Sequence, residues 1–291
     1  MKNSETSVIE SIQQNYLKYL SIAIFNGYKS ESEKLCFSLR YDPKHQNLEH
    51  KYIAEIMNNK ENLNGSFSED NINSTVSRVA QKIINKFKNI MINDGIDVDL
   101  IVNNKPVRPE SDESPYRVTY RWIWEQNFIR DGWSFLKEKS IYSQEGIQMS
   151  LPRTRRPANN GSVNLIKKNE SYNMKINFQR DGYLLLIDES DNEDKYLLLP
   201  SLFFNKYKFS QDIQIYSETT MTLEPAINFN GNSEYFLAII TEKELDLASI
   251  KDDLHSKHFV ELNKEHIENI LKEIGKQGNS IALMKKYDLE N

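Results

Sequence analysis

The chain is poor in the residues from which compact reactive sites are usually built. A single cysteine, Cys36, excludes an intramolecular disulfide framework and a multi-cysteine zinc site. Only 10 glycines are present, and no GxGxxG, Walker A, GxSxG or HExxH pattern occurs, so Gly-rich phosphate cradles and the common hydrolase signatures are excluded. No apolar run reaches the roughly 18 residues of a membrane span. The first apolar cluster, Leu20 to Phe25, is too short for a secretory h-region, so a cytoplasmic protein is expected. Neither sign of charge dominates: 37 basic and 42 acidic side chains give 37 − 42 = −5. Residues 1–150 carry 19 basic and 20 acidic groups and residues 151–291 carry 18 and 22, so neither half is a basic nucleic-acid footprint. No cofactor is expected from this inventory.

What the chain does have is core. Hydrophobics make up 38% and aromatics 11% of 291 residues, enough to bury roughly 70–75% of the unfolded surface at this length. The 31 asparagines are scattered among periodic apolar positions, which argues against a prion-like tract.

Two breaks organise the chain. Asn103 to Pro115 holds three prolines and almost no apolar content; Pro152 to Ser162 holds Pro157 and the turn-prone Asn159-Asn160-Gly161. The expected parts are a mixed α/β domain over 1–103, a linker over 104–162 with an aromatic-rich segment at 116–140, and a β-rich accessory domain over 163–291. In the first part, Val8 to Leu20 has helical spacing with Ser4 or Ser7 as N-cap. Ser21–Phe25 and Lys34–Tyr41 alternate like two strands around Gly27. Glu49–Met57 and Ser74–Met91 read as helices, the latter capped by Asp70 or Asn73 and ended by Gly95, and Asp97–Val102 alternates like a strand.

After the second break the pattern is β. Met174–Phe178, Tyr183–Ile187, Tyr196–Leu199, Ile213–Tyr216, Met221–Leu223 and Tyr235–Ile240 are short strands with turn signals between them. Glu265–Ile274 is a helix ended by Gly275, and Ile281–Met284 a closing strand. The expected fold class is α+β, with a mostly antiparallel sandwich- or barrel-like second domain carrying one C-terminal helix.

Several groups are candidates for chemistry or binding. Cys36 with His45 or His50 is a possible nucleophile and base, but a cysteine inside an alternating run reads better as a small core hydrophobe. His255 and His258 offer an i, i+3 pair without a second cluster to complete a tetrahedral site. Asp188, Glu189, Asp191, Glu193 and Asp194 read as a charged hairpin turn that keeps two adhesive strands soluble; the spacing of a calcium loop is not met. Tyr120, Trp122, Trp124 and Trp133 include all three tryptophans and read as core or as a partner-binding face. Arg153, Arg155, Arg156, Lys167 and Lys168 lie in an acid-free window, a loop open to a nucleic acid or to an Arg-directed peptidase.

The order Asp181-Gly182-Tyr183-Leu184-Leu185-Leu186-Ile187, an acidic turn, Tyr196-Leu197-Leu198-Leu199-Pro200, Met221-Thr222-Leu223-Glu224-Pro225 and Glu234-Tyr235-Phe236-Leu237-Ala238-Ile239-Ile240-Thr241 carries a resemblance. Residues 172–287 resemble the bacterial domain of unknown function often appended to caspase-like peptidases, kinases and other signalling or conflict proteins. Leu199 stands where that family has an aromatic, and Ser201 where it has Asn. The resemblance implies an accessory β module that contacts other proteins and transfers no catalytic residue. The resulting expectation is a non-enzymatic adaptor of a bacterial stress-signalling or antiphage system, with other proteins, including a peptidase or effector, as partners. The alternative is a nucleic-acid-binding protein using the basic segment 153–168; no membrane partner is expected.

Overall fold

The computed structural model describes residues 10–28, 30–60, 66–102, 114–139, 141–142, 146–150, 165–167, 173–176, 180–202, 207–209, 232–257 and 259–290. Its fold is α+β. The chain divides into two compact units, Met1–Gly132 with Gly275–Asn279, and Trp133–Ile274 with Ser280–Asn291.

Within its described residues the first unit is helical throughout, which corrects the mixed α/β expectation for 1–103. Helix α1 (Ile12–Ile24) is capped by Ser11, whose hydroxyl accepts from the Gln14 N–H; Ser4 and Ser7 lie outside the described residues. The stretches expected as strands, Ser21–Phe25 and Lys34–Tyr41, are instead the end of α1 and the greater part of α2 (Glu31–Arg40) with its C-cap. Ser30 caps α2 through the Glu33 N–H, and Cys36, Phe37 and Tyr41 form a fully buried stripe at i, i+1 and i+5. A cap plus a helical stripe outweighs local alternation, because burial is decided by the packed face. Helix α3 (His50–Asn58) comes next, then α4 (Glu69–Asn93), capped by Ser68 in place of Asp70 or Asn73. Gly95, at φ +84°, ends α4 in the left-handed conformation that glycine adopts freely. Residues 98–102, expected as a strand, form α5 (Val98–Val102).

The expected linker is also corrected where it is described. Ser114 caps α6 (Pro115–Trp122), a π-helical turn spans Ile123–Asn127, and α7 (Phe128–Lys139) continues from it. Helix α4 packs against α2, α3 and α6. Thr119, Trp122, Ile123, Trp124, Asn127 and Phe128 are all buried, while Arg121, Glu125, Gln126 and Arg130 keep one side of the stretch in water. Trp122, at the end of α6, packs on Phe87, and Trp124, inside the π turn, packs on Tyr16 and Phe128, so both are interior although only two residues apart.

The second unit is built on a sheet with the order β1 (Ile141–Tyr142), β10 (Ser280–Glu290), β8 (Ser233–Thr241), β5 (Gly182–Ser190), β6 (Lys195–Leu199), β9 (Val260–Glu261). Strand β3 (Leu165–Lys167) adds in parallel to β10, and β7 (Lys208–Phe209) pairs with β5. The long ladders are antiparallel: Leu184 faces Ile240 across β5–β8, and Leu283 faces Ala238 across β10–β8. A second sheet pairs β2 (Ile147–Ser150) with β4 (Asn173–Ile176). Its Ile147, Met149, Met174 and Ile176 join Leu184, Leu186, Phe236, Ala238, Ile240 and Leu283 in one core. The opposite-facing Leu185, Ile187, Leu237 and Ile239 are buried as well, which explains the continuous apolar runs read in the sequence. Among the described residues neither sheet closes, so the barrel expectation is not met and the antiparallel character is. Helices α8 (Lys251–Ser256) and α9 (Lys264–Gly275) complete the described elements; α9 and β10 lie where a helix and a closing strand were expected. The strands expected at 213–216 and 221–223 lie outside the described residues.

At Gly182 the backbone of β5 lies tight against the end of β8. A Cβ there would stand 2.4 Å from the Thr241 carbonyl oxygen and 2.7 Å from the Ile240 side chain. Backbone cannot yield as a flexible side chain can, so Gly182→Ala is expected to cost roughly 1–3 kcal/mol, the usual range for overpacking. Urea denaturation followed by β-sheet circular dichroism would measure it, and an unchanged midpoint would refute the tight approach.

Candidate functional site

The tryptophans expected at a partner-binding face separate into two groups. Trp122 is 1% exposed and donates to Asp94 Oδ2 at 2.7 Å, and the same carboxylate accepts from Arg130 at 2.8 Å. Trp124 is 3% exposed and donates to the Tyr41 carbonyl at 2.9 Å. Tyr120 is 9% exposed and packs on Tyr116 and Tyr41. These three are interior groups of the helical unit: an indole N–H that must find a partner when buried has found one, and no ring face is left for another protein.

Trp133 is different. It is half-buried in the β-rich unit with Lys195 by its ring, and through Glu189 it joins Tyr235, which has Lys137 and Lys286 by its own ring. Glu189 holds this group together. Its side chain is 5% exposed, and Oε1 accepts from Lys137 Nζ at 3.1 Å, Lys195 Nζ at 3.2 Å and Trp133 Nε1 at 3.4 Å. The ammonium of Lys195 lies 5.6 Å from the Trp133 ring centroid, and those of Lys137 and Lys286 lie 5.4 and 5.9 Å from that of Tyr235. Such distances are in the range of cation–π attraction. Cross-strand pairing explains the grouping, since Glu189 is directly opposite Tyr235 in the β5–β8 ladder. One buried carboxylate against two lysines leaves a surplus positive charge beside two half-exposed aromatic rings.

On the other face of the same strands the arrangement reverses. Asp188 is 1% exposed, Glu234 1% and Ser190 8%, and all three share the face of the apolar core because Ser190 is opposite Glu234 and Asp188 opposite Phe236. Burial pushes the Asp188 carboxyl well above the usual carboxylate range, and the negative Glu234 beside it and Glu189 push it further. Sequence reasoning assigned Asp188 and Glu189 to the hairpin turn; only Asp191–Asp194 form it, with the Ser190 N–H donating to the Asp194 carbonyl. The signal was present as alternation carried past Leu184 and Leu186 to Asp188, and past Leu185 and Ile187 to Glu189.

The other sequence candidates belong to other elements or lie outside the described residues. Cys36 is fully buried, and burial pushes its thiol up to about 12, only partly offset by Arg40 and Arg78. It is therefore a core side chain with almost no thiolate at neutral pH. His45 lies in a 3₁₀ turn capped by Asp42, His50 opens α3 and His255 lies in α8; His258 is outside the described residues. Among the described residues no three His, Cys, Asp or Glu side chains form a metal set, and no helix is long and apolar enough to cross a membrane. Arg153, Arg155, Arg156 and Lys168 lie outside the described residues. The backbone of Lys167 is in β3, paired with Glu290.

Two measurements test these placements. Glu189→Ala leaves Lys137 and Lys195 without their carboxylate and is expected to cost about 1–3 kcal/mol, less than a fully buried pair because both lysines keep some water; equilibrium unfolding checks it. Cys36 is expected to react with dithionitrobenzoate at pH 8 only as fast as the helical unit opens, and prompt native-state labelling would place the thiol at the surface.

Comparison of the chain with protein-family models, curated proteins and solved structures yields no match.

Proposed function

We propose that this chain is a non-enzymatic, cytoplasmic adaptor that binds other proteins through the Trp133–Tyr235 patch, in a bacterial stress-signalling or antiphage setting with a caspase-like peptidase or effector as the partner class. One observation carries the binding surface: Trp133 and Tyr235, both half-buried, stand amid Lys137, Lys195 and Lys286 over the buried Glu189. Half-exposed Trp and Tyr rings supply large contact area at little entropic cost and dominate interface energetics. The Lys137 and Lys195 ammoniums are already held by Glu189 near the rings, so less ordering is needed at the moment of association. The signalling setting rests on the resemblance of residues 172–287 to the accessory domain named above. The deep burial of the lone thiol supports the non-enzymatic reading.

The test compares capture by the full-length protein and by a Trp133→Ala, Tyr235→Ala double variant, with captured proteins identified by mass spectrometry. Each truncation of a central aromatic is expected to weaken a specific partner by about 2 kcal/mol or more, roughly thirtyfold in affinity. The far-ultraviolet spectrum and unfolding midpoint should stay close to wild type, whereas Trp122→Ala, an interior change, should lower the midpoint. Equal capture by wild type and double variant would remove the patch from the function. Retained affinity for single-stranded oligonucleotide with a steep salt slope would favour the nucleic-acid alternative.

A further inference from the structure

Lys137 and Lys195 share the one carboxylate of Glu189, and they use it unequally. Lys195 is the inner of the two, its side chain 16% exposed. It meets Glu189 Oε1 at 3.2 Å, donates to the Glu193 carbonyl at 2.8 Å and lies by the Trp133 ring. Lys137 is the outer, its side chain 37% exposed, and it meets the same oxygen at 3.1 Å. An ammonium carries three N–H donors. Those of Lys195 have an oxygen, a carbonyl and a ring to face, whereas Lys137 gives one to the shared oxygen and keeps donors open to solvent beside Tyr235. Over these three side chains the charge is 2 − 1 = +1.

The half-exposed Tyr235 ring has the Lys137 ammonium 5.4 Å from its centroid and that of Lys286 at 5.9 Å. Lys286 brings its own carboxylate, since Asp288 lies 3.0 Å from it with a side chain 66% exposed. That pair adds no net charge and puts a negative group at the rim. A nucleic-acid backbone would meet Asp288 as well as Lys137, and it draws its affinity from neutralising many phosphates, not one. A single carboxylate next to an apolar side chain suits the surface better: the acid answers the surplus charge and the apolar group covers the Tyr235 ring.

Building on the reading of this patch as a protein-docking surface, we propose that its ligand is a peptide segment of the partner in which an aspartate or glutamate adjoins an apolar or aromatic residue. The partner's carboxylate pairs with Lys137, which makes a row of alternating charge: partner acid, Lys137, Glu189, Lys195. The neighbouring side chain lies on Tyr235. Glu189 holds both lysines before the partner arrives, so the row costs little ordering. The same row selects by sign, because a basic segment would meet the Lys137 ammonium directly.

Titration of the full-length protein with three blocked pentapeptides tests this. Each has a central phenylalanine, flanked by glutamates in the first, glutamines in the second and lysines in the third. The reporter is the indole N–H resonance of Trp133, assigned as the one lost in Trp133→Phe, because that N–H faces Glu189 Oε1 at 3.4 Å. The glutamate peptide should bind saturably and roughly two- to fivefold more tightly than the glutamine peptide, the range an exposed ion pair supplies, and the preference should fade at high salt. Lys137→Gln should abolish the preference and leave the glutamine peptide's affinity unchanged; if that variant folds poorly, the wild-type comparison decides alone. No saturable binding of the glutamate peptide, equal affinity for the first two peptides, or tighter binding of the lysine peptide would overturn the proposal. An equal response to inorganic phosphate or to a thymine oligonucleotide would also overturn it, by showing a site for any anion. Such a failure is distinct from failure of the docking surface itself: partner capture lost in the Trp133→Ala, Tyr235→Ala variant would keep the patch with a ligand of other chemistry, whereas capture unaffected by that variant would remove patch and ligand together.

Discussion

Successive residues of a β-strand face opposite ways, and in β5 this places two neighbouring carboxyls in opposite surroundings. Glu189 is turned toward Lys137, Lys195 and Trp133, and Asp188 toward Glu234 and an apolar core. A slip of one residue in the β5–β8 register would exchange the two environments, bringing a core-facing acid into the lysine cluster's place and stranding the lysines. That register is fixed at the other end of the strand by the close approach at Gly182 and along its length by Leu184–Ile240 and Leu186–Ala238. The surface patch and the buried acids are thus two consequences of one ladder.

The β-rich unit was legible in the sequence because each long strand carries an uninterrupted apolar run, and the helix ended by Gly275 carries a clear 3.6-residue stripe. The helical unit was only half legible. Alternating Leu35, Phe37, Leu39 and Tyr41 suggested a strand, yet the buried set is Cys36, Phe37 and Tyr41, a helical stripe. The informative residues were the caps: Ser11 with Gln14 and Ser30 with Glu33 have the Ser-x-x-Gln and Ser-x-x-Glu spacing of capping boxes, and both serine hydroxyls accept the expected backbone N–H. A cap is a local signal that does not depend on the apolar spacing downstream of it, whereas periodicity over six to eight residues fits either element.

The candidate site was less legible for a different reason. Acidic residues after an apolar run read as a turn, because charges are seldom buried without partners. What buries Asp188 and Glu189 is the length of the facing strand, and that is set by Ser233 to Phe236 some forty-five residues further on. Trp133 stood beside Trp122 and Trp124 as a candidate surface residue, and composition cannot separate three tryptophans within twelve positions. Their packing partners do so, since Phe87 of α4 covers Trp122, and Tyr16 of α1 with Phe128 covers Trp124.

Three buried acids show how surroundings decide what a carboxyl does. Burial alone would raise Glu33, but its contacts with Lys82 at 2.6 Å and Arg78 at 3.2 Å reverse that and hold it below the ordinary range. Its contribution to stability is therefore present above the unfolded carboxyl value and is lost as pH falls. Asp188 is buried as well, but among the described residues no cation offsets that burial, and its contribution runs the other way. The helical unit thus loses this support toward acid and the β-rich unit toward base, so a single global midpoint measured against pH would partly cancel two opposite local trends. Glu189 has both burial and two lysines, which gives it the role of a fixed anchor for the surface above it, and a fixed anchor is what a preorganised docking patch requires.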